Sequence, residues 1–193
     1  MTPAPGDTAT GAATASATPA DPPARPTDQA VAPQRALRNV LGRYATGVAV
    51  VTTRAADGPP VAVTVNSFTS VSLDPPLILW CLALRSGRRA DFTAAGHFAV
   101  HVLAAAQRDL ATRFAGPADG LHGLTVTTGP HGLPLLPGTA ATLVCRRTGL
   151  LAAGDHVVLL GEVESYTCAP GPALLFADGA FHPGPPAGRS PVA

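Results

Sequence analysis

Eight consecutive apolar residues, Leu77-Ile-Leu-Trp-Cys-Leu-Ala-Leu84, follow the breakers Asp74-Pro75-Pro76. The run is short, bounded by turn signals and apolar on both faces. That pattern marks a strand covered on both sides, at the centre of a sheet and not at its rim. It is the longest apolar run in a chain of 193 residues, far below the roughly 18–20 residues of a membrane-spanning helix. The chain therefore needs a sheet with apolar cover on each face, and no membrane span is expected.

The flanking segments supply that sheet. Val48-Ala-Val-Val-Thr-Thr53 is β-rich, Asp57-Gly58 signals a turn and Val61-Ala-Val-Thr-Val65 alternates, which together read as a hairpin. Phe68 to Ser72 continues extended up to the Asp-Pro-Pro turn. His97-Phe-Ala-Val-His-Val-Leu103 alternates again, and later strands are expected over about 139–150, 156–166 and 173–177, with Gly154-Asp155 between the first two. Helical spacing occurs three times. Leu37, Val40, Leu41 and Tyr44 sit at i, i+3, i+4 and i+7, predicting a helix from about 34 to 45 with one apolar face. A short helix is expected from Gly87 to Ala95, with Ser86 as its N-cap, and another from Gln107 to Phe114. Many short strands without regular βα alternation predict a mainly β fold, an antiparallel barrel with a few short helices.

Composition sets the boundaries. The first 34 positions hold 7 Pro, 10 Ala and 6 Thr. A segment so poor in large apolar residues cannot offset its ordering entropy, so 1–34 is expected to be a disordered tail. The Pro-rich residues 183–193 receive the same expectation, leaving 35–182 as one domain. Its basic residues are all arginine, near balance with the acids and without a stripe of like charge, so neither nucleic acid nor a membrane surface is an expected partner. The N-terminus lacks a basic region followed by an apolar one, and a secretory signal is not expected. Three scattered cysteines, Cys81, Cys145 and Cys168, make neither a disulfide framework nor a thiolate metal site. A cytoplasmic protein is expected.

Four constellations could carry chemistry. Thr64-Val-Asn-Ser-Phe-Thr-Ser-Val-Ser72 packs five hydroxyl residues and Asn66 into nine positions. Strand alternation would put Thr64, Asn66, Phe68, Ser70 and Ser72 on one side, lining a polar ligand or facing solvent; composition alone serves both. Ser86-Gly-Arg-Arg89 opens a helix, where free backbone N–H groups, a hydroxyl and two guanidinium groups would suit a phosphate. Solvated arginines beside an ordinary N-cap serve the pattern as well. Gly154-Asp155-His156 places an imidazole at the head of a strand, able to bond a carboxamide or phosphate, or to sit at the surface. His97 and His101 have H-x-x-x-H spacing, but on a strand four residues span roughly 13 Å. One ion cannot bridge that gap, and no metal site is expected. No Ser/His/Asp spacing, phosphate-binding P-loop or dinucleotide fingerprint follows a strand.

Together these segments resemble the flavin reductase-like domain family, whose members have an FMN-binding split barrel. The resemblance rests on Tyr44-Ala-Thr-Gly-Val-Ala-Val-Val-Thr52, on Val63 to Leu77 with its Asn-Ser-Phe-Thr-Ser-Val-Ser-Leu-Asp-Pro-Pro core, on Ala95 to Leu103, and on Ala153-Gly-Asp-His156. They keep the family's order across 35–182. The resemblance implies a homodimer that uses NADH or NADPH to reduce FMN or FAD and passes reduced flavin to a partner monooxygenase. It implies flavin-ring and ribityl contacts at Thr64, Asn66, Ser67, Phe68, Thr69, Ser70 and Ser72, phosphate contacts at Ser86 and Arg89, and a nicotinamide-positioning role for His156 beside Asp155. Two other activities fit the same barrel: a flavin-binding sensor or store with little reductase activity, and a flavin oxidase with its own small-molecule substrate. The chain departs from the family pattern at His101, where relatives often carry Asn, and at Phe181 of Gly179-Ala-Phe-His182, where the pattern has Tyr.

Overall fold

The computed structural model describes residues 28–54, 58–116 and 120–186. The proposed tail up to residue 27, Asp57 of the expected turn and the last seven residues lie outside them. The chain runs α1 (Asp28–Leu41), β1 (Thr46–Gly47), β2 (Ala49–Arg54), β3 (Pro60–Val65), β4 (Thr69–Leu73), β5 (Pro76–Ala83) and α2 (Arg89–Ala94). It continues with β6 (His97–Val102), α3 (Arg108–Ala115), β7 (Thr127–Thr128), β8 (Pro134–Leu135), β9 (Ala141–Ala153), β10 (His156–Cys168), β11 (Leu174–Ala177) and β12 (Ala180–Pro183). Seven strands form one antiparallel sheet in the order β3-β2-β6-β9-β10-β5-β4. A three-stranded sheet, β1-β11-β12, and a two-stranded one, β7-β8, complete the fold. This is the expected mainly β, antiparallel split barrel with few helices.

Alternation explains how one sheet serves two cores. Ala49 and Val51 point into a cluster with Val63, Val65, Trp80, Phe98 and Leu159. Val48 and Val50 point the other way, to Leu103, Ala111, Phe114 and Leu174. With both faces covered, β2 is buried up to Thr53, and its two buried hydroxyls cannot reach water. Thr52 donates to the carbonyl of Pro134 and Thr53 to that of His97, each at 2.7 Å, which removes the penalty of burying them. Trp80, the centre of the apolar run, is fully buried with Phe92 and Phe98 set edge-on to it at 5.1 and 5.7 Å. Gly161 is required here, because a Cβ would lie 2.5 Å from the Phe98 ring.

Three expectations change. The first helix begins at Asp28, within the segment expected to be disordered, because its alanines are also the best helix formers. It ends at Leu41, short of the expected 45, and its apolar face is open: Leu37, Val40, Leu41 and Tyr44 are 59, 69, 64 and 78% exposed. Periodicity marks an apolar face but not what covers it. A turn after the helix anchors it, through Arg43 paired with Asp178 at 2.9 Å and the Asp178 amide on the Gly42 carbonyl. At the other end, β12 runs through Pro183, and the Gly184 amide bonds the Ala173 carbonyl. Order thus extends past the expected boundary at 182.

Candidate functional site

A cleft of about 520 Å³ opens where β3 ends. It is walled by residues 63–67, by 81–83 of β5, by the 85–88 turn, by Ala115-Gly116 after α3, and by His156. The volume lies within the range typical of small-molecule sites. Five expected residues meet there from separated segments: Thr64, Asn66, Ser67, Ser86 and His156. Ser67 is held in place by β5, its Oγ accepting the Cys81 amide at 2.9 Å and facing the Cys81 carbonyl at 3.3 Å. Thr64 spends its hydroxyl on the Ala111 carbonyl at 2.8 Å, tying α3 to the cleft wall. Asn66 is exposed and leaves its amide to the cleft.

The remaining hydroxyls of that stretch do not line the cleft. Regular strand pairing stops at Val65 and resumes at Thr69, and the register of β4 against β5 shifts between Ser70 and Ser72. Strict alternation fails across both breaks. Phe68 packs against the barrel core, Thr69 and Ser70 are exposed on β4, and Ser72 accepts the Asp74 amide at 3.2 Å.

At the 85–88 turn, Ser86 is not the cap of α2. The N-cap position is Arg88, and the Ser86 hydroxyl accepts the Arg88 amide at 3.3 Å. This tight turn brings Arg88 back to the cleft, where it donates to the Gly116 carbonyl at 3.1 Å, and leaves Arg89 exposed outside it. Arg85 also lines the cleft. Burial strips water from the Arg88 guanidinium and lowers its pKa, an effect that Asp91 opposes. A partly desolvated cation at a cleft wall favours an anionic ligand. The sequence motif Ser86–Arg89 offered Arg88 and Arg89 alike and the resemblance chose Arg89, because adjacent arginines carry no signal of direction; Arg85 lay outside the motif.

His156 heads β10 because β9 and β10 are joined by two residues, Gly154 and Asp155, with Gly154 at φ +59°. Such a turn takes glycine without steric cost. Asp155 stands outside the cleft lining and orients the ring from behind, its carboxylate accepting from His156 Nδ1 at 2.6 Å. That bond, followed by the charge of His156 and more weakly by Arg85, lowers the pKa of the exposed Asp155 carboxyl. The Nδ1 bond leaves Nε2 as the ring atom for a ligand.

A second cavity of about 210 Å³ adjoins the first through Thr64, Val65, Asn66 and Ala115. Its far wall is Phe176 and Phe181, edge-on at 5.3 Å. An aromatic surface thus faces the space beside Asn66, although Phe181 stands where Tyr was expected. His97 and His101 serve no common ion: His101 is fully buried and bonds the Val50 carbonyl through Nδ1 at 3.2 Å.

The family model described as flavin reductase like domain matches residues 41–185. The chain is 46% identical over 147 residues to the FMN reductase (NADH) SmoA of Agrobacterium fabrum, covering 76% of this chain and 84% of that protein. It is 40% identical to the reductase component of the flavin-dependent trigonelline monooxygenase of Acinetobacter baylyi, covering 76% of this chain. There it spans only 48% of the relative's length. Among solved structures, the Streptomyces globisporus NADH:FAD oxidoreductase SgcE6 in complex with NAD and FAD fragments superimposes with a TM-score of 0.73 at 38% identity, covering 82% of this chain and 96% of that one.

Proposed function

The chain belongs to the flavin reductase like domain family, and on that premise we propose that it is an NAD(P)H:flavin oxidoreductase supplying reduced FMN or FAD to a partner monooxygenase. The observation that carries this reading is the single cleft that gathers residues 64–67, the 85–88 turn and His156. Its chemistry fits a flavin. Val63, Val65 and Leu82 give an apolar wall for a planar ring, Asn66 and Ser67 give amide and hydroxyl partners, and Arg85 with Arg88 give a cationic wall for phosphate.

When bound, flavin supplies the hydride-accepting chemistry, and the protein's part is placement. Asn66, Ser67 and the backbone around them hold the ring side, and Ser86, Arg85 and Arg88 hold the phosphate. His156, fixed by Asp155, presents Nε2 to the nicotinamide nucleotide, and Phe181 offers an aromatic surface beside it. No general base is required for hydride transfer between the two rings. Small hydroxyls and backbone groups grip flavin without enclosing it, which suits a flavin that leaves after reduction. The relatives named as reductase components of monooxygenases support the partner.

The exposed apolar face of α1 supports a homodimer, since an exposed apolar patch marks an interaction surface. Among the described residues no helix is long and apolar enough to cross a membrane. A cytoplasmic location is part of the proposal, because the NADH or NADPH that the reaction consumes is a cytoplasmic nucleotide.

Replacing His156 by alanine tests the division of labour. Loss of one bond to a charged or polarised ligand costs about 1.5 kcal/mol, so KM for NADH is expected to rise about 10-fold. Flavin affinity, measured by fluorescence quenching, is expected to stay within about 2-fold, because the predicted ring and phosphate contacts lie elsewhere. Unchanged NADH kinetics in this variant would remove His156 from the nicotinamide side.

A further inference from the structure

On the outer face of the barrel, three side chains from distant segments converge. His97 begins β6, His131 lies in a single 3-10 turn at Pro130–Gly132, and Glu164 lies on β10. Glu164 Oε2 stands 2.8 Å from His131 Nε2, and Oε1 stands 3.6 Å from His97 Nε2. All three donor groups fall within 4.8 Å of one another. We propose that His97, His131 and Glu164 form a binding site for one divalent transition-metal ion of the zinc class, with a further coordination position open to a neighbouring cleft of about 250 Å³.

Two backbone irregularities aim these ligands. His131 adopts φ +55° and ψ +21°, a left-handed conformation that costs a non-glycine residue energy. Glu164 is the extra residue of a β-bulge, because Val163 and Ser165 pair with consecutive residues Cys145 and Val144 and leave it without a partner. Bulges redirect a side chain at the point where they occur. The left-handed residue and the bulge thus lie at two of the three members of the cluster.

The donor set is two imidazole nitrogens and one carboxylate, which suits zinc and its neighbours and not calcium or magnesium. Zinc bonds of about 2.0–2.1 Å place neighbouring tetrahedral ligands roughly 3.3 Å apart, between the two separations observed. The imidazoles lie stacked, 3.7 Å apart and 11° from parallel, so a shared ion requires the rings to swing apart. Their side chains are 29 and 41% exposed, which leaves room for that rotation. The local charge is mixed. Arg146 lies 3.9 Å from Glu164 but is also bonded to Glu162, and Arg54 lines the cleft while donating to the Gly132 carbonyl at 3.4 Å. Glu162 thus offsets one of the two cations.

The site is independent of the flavin reading. Glu164 is eight residues along β10 from His156, roughly 26 Å in an extended strand. Bound metal would clamp the Pro130–Gly132 turn onto β6 and β10.

The test uses the full-length protein stripped with chelator and titrated with Zn²⁺ against a chromophoric competitor. One tight equivalent per chain is expected, weakened at least about 10-fold, the loss typical even of an outer partner, in His131→Ala and in the isosteric Glu164→Gln. Cys168→Ser and His182→Ala should leave it unchanged, and every variant should keep wild-type affinity for FMN, which reports on the fold. Co²⁺-loaded protein should show visible d–d absorption that His131→Ala removes. Zn²⁺ affinity unaltered in both His131→Ala and Glu164→Gln, absence of a tight equivalent, or loss of binding in Cys168→Ser would each overturn the proposal.

Discussion

Replacing Arg85 and Arg88 together by alanine is expected to weaken FMN binding by about 10²- to 10⁴-fold. Each guanidinium bond to a phosphate oxygen contributes about 1.5–3 kcal/mol, so two removed bonds give about 3–6 kcal/mol. The expectation rests on where the 85–88 turn aims its side chains. Arg88 is partly desolvated, with one nitrogen committed to the Gly116 carbonyl and burial lowering its pKa. A cation in that condition gains from an anion placed beside it. Arg85 shares the cleft and is exposed, so its truncation costs the fold little. Arg89→Ala is the comparison that decides between neighbours, because Arg89 is exposed and lies outside the cleft. Its affinity for FMN should match the wild type. Fluorescence titration of FMN checks all of these, and a large loss in Arg89→Ala with none in the double variant would reverse the assignment.

Acidification from pH 7 to pH 4 is expected to remove about 3 kcal/mol of stability through His101 alone. The ring is fully buried, its Nδ1 bonds the Val50 carbonyl and its Nε2 has no partner. Burial pushes its pKa down from 6.5 to about 4. The unfolded chain takes up this proton as pH falls through about 6.5, whereas the folded chain resists until about pH 4. The unfolded state therefore binds more protons across that window, and stability falls with pH. The contribution is fully present above about pH 6.5, and a shift of about 2.5 units at 1.36 kcal/mol per unit sets its size. Urea unfolding at pH 7, 5.5 and 4.5 reads the slope. His101→Asn removes the titration and should flatten it, whatever the substitution does to stability at pH 7. An equally steep slope in His101→Asn would place the acid sensitivity elsewhere.

The fold was legible where periodicity is a local property. Alternation in Val61 to Val65 and in His97 to Leu103 locates β3 and β6, and the two-faced apolar run locates β5. Gly154-Asp155 marks the β9–β10 hairpin because only two residues separate long strands there. The extra β12 escaped notice because Ala180–Pro183 is short, contains proline and gains its order from pairing with β11. The open face of α1 was equally illegible, since a stripe at helical spacing looks the same whether a core or another surface covers it.

The site was legible in its ingredients and not in its assembly. Thr64, Asn66, Ser67, Ser86 and His156 were all marked by residue type and by family resemblance, and they meet in one cleft. Phe68, Ser70 and Ser72 were grouped with them by an alternation that a gap in the strand and a register shift interrupt. Arg88 and Arg89 are equivalent in sequence, and a hydrogen-bonded turn separates them. The cluster of His97, His131 and Glu164 was invisible because its members are about 33 residues apart along the chain, and because two of them owe their direction to a left-handed residue and a bulge.

On the proposed function, this cleft holds flavin and nicotinamide nucleotide together for reduction. Oxidation of NADH and of NADPH by the purified protein, with and without added FMN or FAD, tests it most directly. Turnover that requires added flavin, saturates with it and falls in the Arg85/Arg88 double variant is the predicted result. Nucleotide oxidation that is absent with either flavin, or that proceeds equally in the double variant at limiting flavin, would contradict the account.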